Sequence, residues 1–251
     1  MKHVGLWGAL GTVALVLIGM LVGFVWLPQS QDPSLSPFAA WCSAFGVPRT
    51  WLTSTSIAAQ PGTSRVLLTH NLLGEAVSGD VGHGATLALR CSICHGPTGI
   101  SYADSPNLAG QYAAVIYKQL QDYRTGAREN PIMTPMAQTL SDREMRQLSV
   151  YYASLPRPPA AAIADRPPEI VRWGAPMRNI APCGSCHGDI DHTMASPWLK
   201  GEPQNYLRAQ LIAFAEGDRT NDINGQMRAM AQGLTKAEIE AAVRFYAGDV
   251  Q

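Results

Sequence analysis

The stretch Cys91-Ser92-Ile93-Cys94-His95 decides how the rest of the chain is read. Two thiols three positions apart on a turn of helix can form thioethers to the two vinyl groups of one porphyrin, and the imidazole that follows directly reaches the iron. Cys-x-x-Cys-His is therefore the attachment signature of a c-type haem. The pattern returns as Cys183-Gly184-Ser185-Cys186-His187. Four thiols in two pairs also suit a tetrahedral zinc, but that reading gives no role to His95 and His187, each placed directly after the second cysteine of its pair.

The sequence around the two motifs repeats in order. Leu199-Lys200-Gly201 answers Leu108-Ala109-Gly110, Gln210-Leu211 answers Gln119-Leu120, and Gly217-Asp218-Arg219 answers Gly126-Ala127-Arg128, all at an offset of 91 residues. Met227-Arg228-Ala229-Met230-Ala231 answers Met133-Thr134-Pro135-Met136-Ala137 at an offset of 94. An ordered series of matches at a nearly constant spacing marks two copies of one structural unit. Within the first copy, Tyr112, Val115, Ile116, Gln119, Leu120 and Tyr123 are spaced for a helix. Ser141-Asp142-Arg143-Glu144 forms a capping box, with Met145, Leu148, Tyr152 and Leu155 on the apolar face of the helix that it opens. Thr235 and Glu238 repeat the box before Ile239, Ala242, Val243 and Tyr246. Pro176 and Pro182 break the segment before Cys183, so the helix leading into the second motif must stop early.

Net charge is zero, with 19 basic and 19 acidic residues, and gives no sign of a nucleic-acid partner. Val4 to Leu27 is 24 residues without a charge; as a helix it would cross a hydrocarbon core of about 30 Å. Lys2 precedes this run and no Lys or Arg follows until Arg49, which predicts a single pass through a bacterial inner membrane with the haem domains in the periplasm. A cleaved signal peptide is the competing reading. The expected organisation is a transmembrane anchor over 1–30, a linker or membrane-proximal segment over 31–79, one domain over 80–158 and another over 159–251. Pro156-Arg157-Pro158-Pro159, with Pro167-Pro168 further on, marks an extended, semi-rigid connection between the two domains. Cys42 is the odd cysteine and reads as a buried or free thiol.

These residues resemble the dihaem cytochrome c4 family, two class I cytochrome c domains in tandem, here as a membrane-anchored variant. The resemblance covers about Asp80 to Gly248. It implies an all-α fold, an N-terminal transmembrane helix followed by two tandem cytochrome c domains, with two covalently bound haem c groups held by Cys91 and Cys94 and by Cys183 and Cys186. It implies His95 and Met133 as axial ligands of the first iron and His187 and Met227 as those of the second, the family's methionine lying eight residues before the helix-capping Ser141 or Thr235. Met136 and Met230 are then core side chains. Pro106 and Pro197 match the proline whose carbonyl accepts the proton of the ligand histidine. His192 and Met194 stand where such loops are often rich in glycine. Arg128 and Arg219, present in both copies, suit haem propionates or a solvated surface equally.

An iron whose two axial positions are filled by His and Met has no site for substrate, which leaves one-electron transfer. The expected function is an electron carrier, not an enzyme, taking single electrons from a quinol-oxidising complex or dehydrogenase to a terminal oxidase or reductase. The alternatives are the cytochrome subunit of a larger membrane oxidoreductase, or a dihaem enzyme of the peroxidase or thiosulfate-oxidising type.

Overall fold

The computed structural model describes residues 2–27, 30, 37–44, 63–67, 69, 79–158, 166–188 and 196–247. The chain forms two compact units, Met1–Ala58 and Ala59–Gln251. Both are helical. Among the described residues the only β pairing is one isolated bridge, Ala175 to Ile180.

The first unit contains α1 (Lys2–Leu21), a π-helical turn at Val22–Trp26 and α2 (Pro37–Ala44). The expected transmembrane helix is not found: no helix among the described residues is long and apolar enough to cross a membrane. Regular α-helix ends at Leu21, and the π turn interrupts its hydrogen-bond ladder six residues before the uncharged run does. The single-pass inner-membrane placement, which rested on this segment, falls with it. Cys42 is a free, half-buried thiol on α2.

The second unit holds the repeat. Its first module comprises α3 (Val81–Ala88), α4 (Ser92–His95), α5 (Ala113–Thr125), α6 (Met133–Gln138) and α7 (Asp142–Ser154). Asp80 caps α3 by accepting from the backbone N–H groups of Gly82 and His83 at 2.8 and 3.1 Å. Ser141 and Glu144 cap α7 reciprocally, the Ser141 N–H donating to Glu144 Oε2 at 2.8 Å and the Glu144 N–H to Ser141 Oγ at 3.3 Å. These caps satisfy helix-end donors that have no intrahelical partner. Ala88, Ile116, Tyr117, Leu120, Leu140, Met145, Leu148 and Tyr152 form the core, where α5 and α7 meet. At Gly84, α3 crosses α7 so closely that a Cβ would lie 2.2 Å from Gln147 O and 2.7 Å from Tyr151 Cβ. That crossing delivers the end of α3 to Cys91.

The second module is built from α8 (Glu169–Arg172), 3-10 turns at Pro176–Arg178, Cys183–Ser185 and Ile223–Gly225, α9 (Gln204–Glu216), α10 (Gln226–Gln232) and α11 (Lys236–Ala247). The helix before the motif is a single turn, as Pro176 and Pro182 require. Ile170 and Val171 on that turn still reach the core with Ile180, Leu207, Ile239, Val243 and Tyr246. Thr235 and Glu238 make the second reciprocal cap, Thr235 N–H to Glu238 Oε2 at 2.8 Å and Glu238 N–H to Thr235 Oγ1 at 3.3 Å. Arg178 also pairs with Glu238, and this bond, with the Thr235 N–H, draws the carboxyl down to about 2. Gly126 and Gly217 end α5 and α9 in the left-handed conformation, at φ 77° and 83°, where other residues are strained.

Gly84→Ala therefore forces α3 off α7. Overpacking of this kind costs about 1–3 kcal/mol, and thermal unfolding of the variant should show that loss, whereas Gly126→Ala is limited by φ alone because a Cβ there meets no atom within 4 Å.

Candidate haem-binding sites

Cys91 ends the turn after α3 and His95 lies at the C-terminus of α4, so one helical turn presents the motif. Cys91 and Cys183 are half-buried, Cys94 and Cys186 exposed, and none of the four is in a disulfide. Burial raises the Cys91 thiol and pushes Cys183 up to about 11, so both are held protonated. Among the described residues no three His, Cys, Asp or Glu side chains gather to hold a metal, so the two thiol pairs do not meet in a zinc site.

His95 and His187 are buried, and their Nδ1 atoms lie 2.8 Å from Pro106 O and 2.9 Å from Pro197 O. A carbonyl only accepts, so Nδ1 carries the proton and donates. Burial lowers both imidazoles below their ordinary range, outweighing the carbonyl bond that raises them. Each is therefore neutral, with the Nε2 lone pair unprotonated. This is the form in which histidine ligates a metal. Neutral imidazole and unbridged thiols in one turn are the donor set that a covalent haem needs, and the site fits it.

The methionine pairs are placed differently in the two modules. Met133 packs on the first core cluster beside Cys91. In the second module Met230 packs on the cluster beside Cys183, and its Sδ accepts the Ala181 N–H at 3.3 Å. Met136 and Met227 are half-buried and lie outside those clusters. His192 and Met194 fall outside the described residues.

The prolines that hold the histidines begin two loops that meet each other. Trp198 N–H donates to Gln111 Oε1 at 2.9 Å, and Gln111 Nε2 donates back to Trp198 O at 2.9 Å. Asn107 N–H donates to Glu202 Oε2 at 2.8 Å, and Asn107 Nδ2 to Gly201 O at 2.6 Å. Asn107 and Trp198, like Gln111 and Glu202, are 91 apart, so the contact is a pseudo-two-fold clasp in which each copy offers the other the same pair of groups. Gly110 N–H and Gly201 N–H tie the loops to the carbonyls of Tyr152 and Tyr246, both at 2.8 Å. The guanidinium of Arg157 lies 4.1 Å from the Trp198 ring centroid while its Nε donates to Gly110 O at 3.0 Å, so the start of the connection is part of the clasp.

Further along the same surface, Arg128 donates to Gln119 Oε1 and Gln210 Oε1, both at 2.7 Å, and Arg219 donates to Gln210 Oε1 at 2.8 Å. Burial and the adjacent Arg128 charge bring Arg219 down to about 10. Arg219 Nη2 also reaches Gln119 Oε1 at 3.4 Å, so both repeated arginines join the two copies. Lys118 Nζ donates to Asp122 Oδ2 at 2.5 Å and to Asn221 O at 2.8 Å, while Asn221 Nδ2 donates to Asp122 Oδ2 at 2.7 Å. The sequence contained the signal for this surface in the recurrence of Gln119 with Gln210 and Arg128 with Arg219, and the Gln111 to Glu202 exchange lies in the same register.

A family profile described as Cytochrome c matches residues 81–156. Cytochrome c4 of Thiocapsa roseopersicina is 38% identical over 63% of this chain and 86% of its own length. The chain belongs to the cytochrome c4 family. A thiosulfate dehydrogenase electron acceptor of Stutzerimonas stutzeri is also 38% identical, over 64% of this chain and 79% of its own. The crystal structure of reduced recombinant cytochrome c4 from Pseudomonas stutzeri superposes with a TM-score of 0.64 at 31% identity, covering 68% of this chain and 99% of that one. This cytochrome c4 relative is accordingly a c-type electron-transfer protein with two covalently bound haem c groups.

The interface makes its own prediction. Asp122→Ala leaves Lys118 buried without its partner, and breaking such a pair costs about 3–5 kcal/mol; denaturant unfolding should show this, with a smaller loss when Lys118→Met is added.

Proposed function

We propose that this protein carries single electrons between a dehydrogenase and a terminal oxidase or reductase, with its two haems held in fixed register by the clasp. The observation that carries the reading is the pair of buried histidines, each neutral and each with Nδ1 held by a proline carbonyl. In this reading Cys91 and Cys94 would hold the first haem through thioethers, and Cys183 and Cys186 the second. His95 and His187 would offer Nε2 to the irons, and Met133 and Met227 would offer their thioether sulfurs. Met230 serves the fold, its sulfur committed to the Ala181 N–H and its side chain to the core.

Haem iron supplies reversible one-electron exchange, and a His and Met pair raises its potential relative to harder ligands. The protein's part is to hold the imidazoles in one tautomer and orientation, so that little has to move when charge arrives. A dehydrogenase is favoured over a quinol-oxidising complex as donor because two relatives bear the name thiosulfate dehydrogenase electron acceptor. The holoprotein mixed with a thiosulfate dehydrogenase and thiosulfate should be reduced at both haems, as followed in the visible spectrum. Failure of reduction by this donor, with ready reduction by a quinol-oxidising complex, would reverse the choice.

Ligation is tested separately. Haem should remain on the denatured chain at two per polypeptide. Met227→Ala should abolish the methionine-to-iron charge-transfer band of one haem and lower its potential, whereas Met230→Ala, at a half-buried position, should keep the band and lose about 0.5–3 kcal/mol of stability. Loss of the band in Met230→Ala instead would exchange the two roles.

A further inference from the structure

The clasp pairs unlike residues. On one side Gln111 is an amide that both accepts, from Trp198 N–H, and donates, to Trp198 O. Its counterpart 91 residues on is Glu202, which accepts from Asn107 N–H at 2.8 Å and is only 6% exposed. The counterpart of the Trp198 carbonyl is that of Asn107. By the repeat, the Asn107 carbonyl is the group that a donor at position 202 would serve as Gln111 Nε2 serves Trp198 O; an ionised carboxylate only accepts and has no proton for such a bond, whereas a protonated carboxyl both accepts and donates, as the amide does.

We propose that Glu202 stands in the folded protein as a neutral carboxylic acid, replacing the Gln111 amide in the second half of the clasp, and that its ionisation releases that half. The titratable and charged groups on the adjoining elements do not offset its charge. Arg157 on the connection is engaged with the Trp198 ring and Gly110 O. Lys200 on its own loop lies 5.9 and 6.0 Å from the ring centroids of Trp198 and Phe245. On α9, Arg208 is paired with Glu240, and Arg128 bonds Gln210 and reaches the Tyr206 hydroxyl at 3.4 Å. Tyr112 and Tyr246 flank the loops. Among the described residues none forms an ion pair with Glu202. Burial accordingly raises its carboxyl to about 8, against the lowering effect of the Asn107 N–H.

The folded state keeps a proton that the unfolded chain loses near the ordinary carboxyl value, so this contribution is whole below about 4.5 and is lost as pH rises to about 8. The proposal does not depend on which partner gives or takes the electron.

The test uses the full-length holoprotein. An infrared difference spectrum of wild type against Glu202→Gln at pH 6 should contain the carbonyl stretch of a buried protonated acid, and the band should vanish as pH is raised through the ionisation. The wild-type thermal midpoint should fall over the same range while that of Glu202→Gln, which restores the amide, falls less and exceeds wild type above it. Absence of the acid band in the wild type, or parallel pH profiles for the two proteins, would overturn the proposal. The wild-type infrared titration decides even if the variant folds poorly.

Discussion

The hydrogen bond from a buried histidine Nδ1 to a proline carbonyl, made once in each module, constrains more of this structure than any other contact. It fixes the tautomer, leaves Nε2 as the donor atom and dictates the course of the loop that follows. Because a trans peptide is planar, its C=O and N–H point in opposite directions, and no peptide among the described residues is cis. The unit that joins Pro106 to Asn107 therefore accepts from His95 on one side and donates to Glu202 on the other. The unit joining Pro197 to Trp198 does the same between His187 and Gln111. Each histidine is thus one peptide away from the opposite module.

This sharing explains why the interface is polar. An apolar contact of similar size would tolerate sliding, because burial is non-directional. Here Arg128 and Arg219 each take a glutamine carbonyl from their own side and a second from across. Planar guanidinium groups offer donors in a fixed fork, so the pattern closes in one register.

Much of this was legible in the sequence and some was not. The capping pairs Ser141 with Glu144 and Thr235 with Glu238 were legible because the box is a local device whose partners lie three residues apart. The early stop before Cys183 followed from Pro176 and Pro182 for the same reason. The spacing from Tyr112 to Tyr123 gave one buried face, but Lys118 and Asp122 on α5 are buried too, because the second module covers them. Polar residues on a helix read as a solvated face until the covering surface is known. The N-terminal run shows the opposite limit, since uncharged composition set its length while the backbone set where regular helix ends, at Leu21.

The two modules also divide their labour unequally, and the reason lies in their first helices. In the first, α3 is two turns long and packs along α7 through Gly84. In the second, α8 is one turn, and Ile180 and Met230 fill the space instead, with Gly233 so near that a Cβ would sit 3.0 Å from Ile180 Cδ1. A sulfur held there by the Ala181 N–H is part of the repair of a shortened helix. The same repeat position therefore need not carry the same role: Met136 has no shortened helix to support, whereas Met230 does. In the proposed ligation, that difference would tie the choice of Met227 over Met230 to two prolines that lie nowhere near either in sequence.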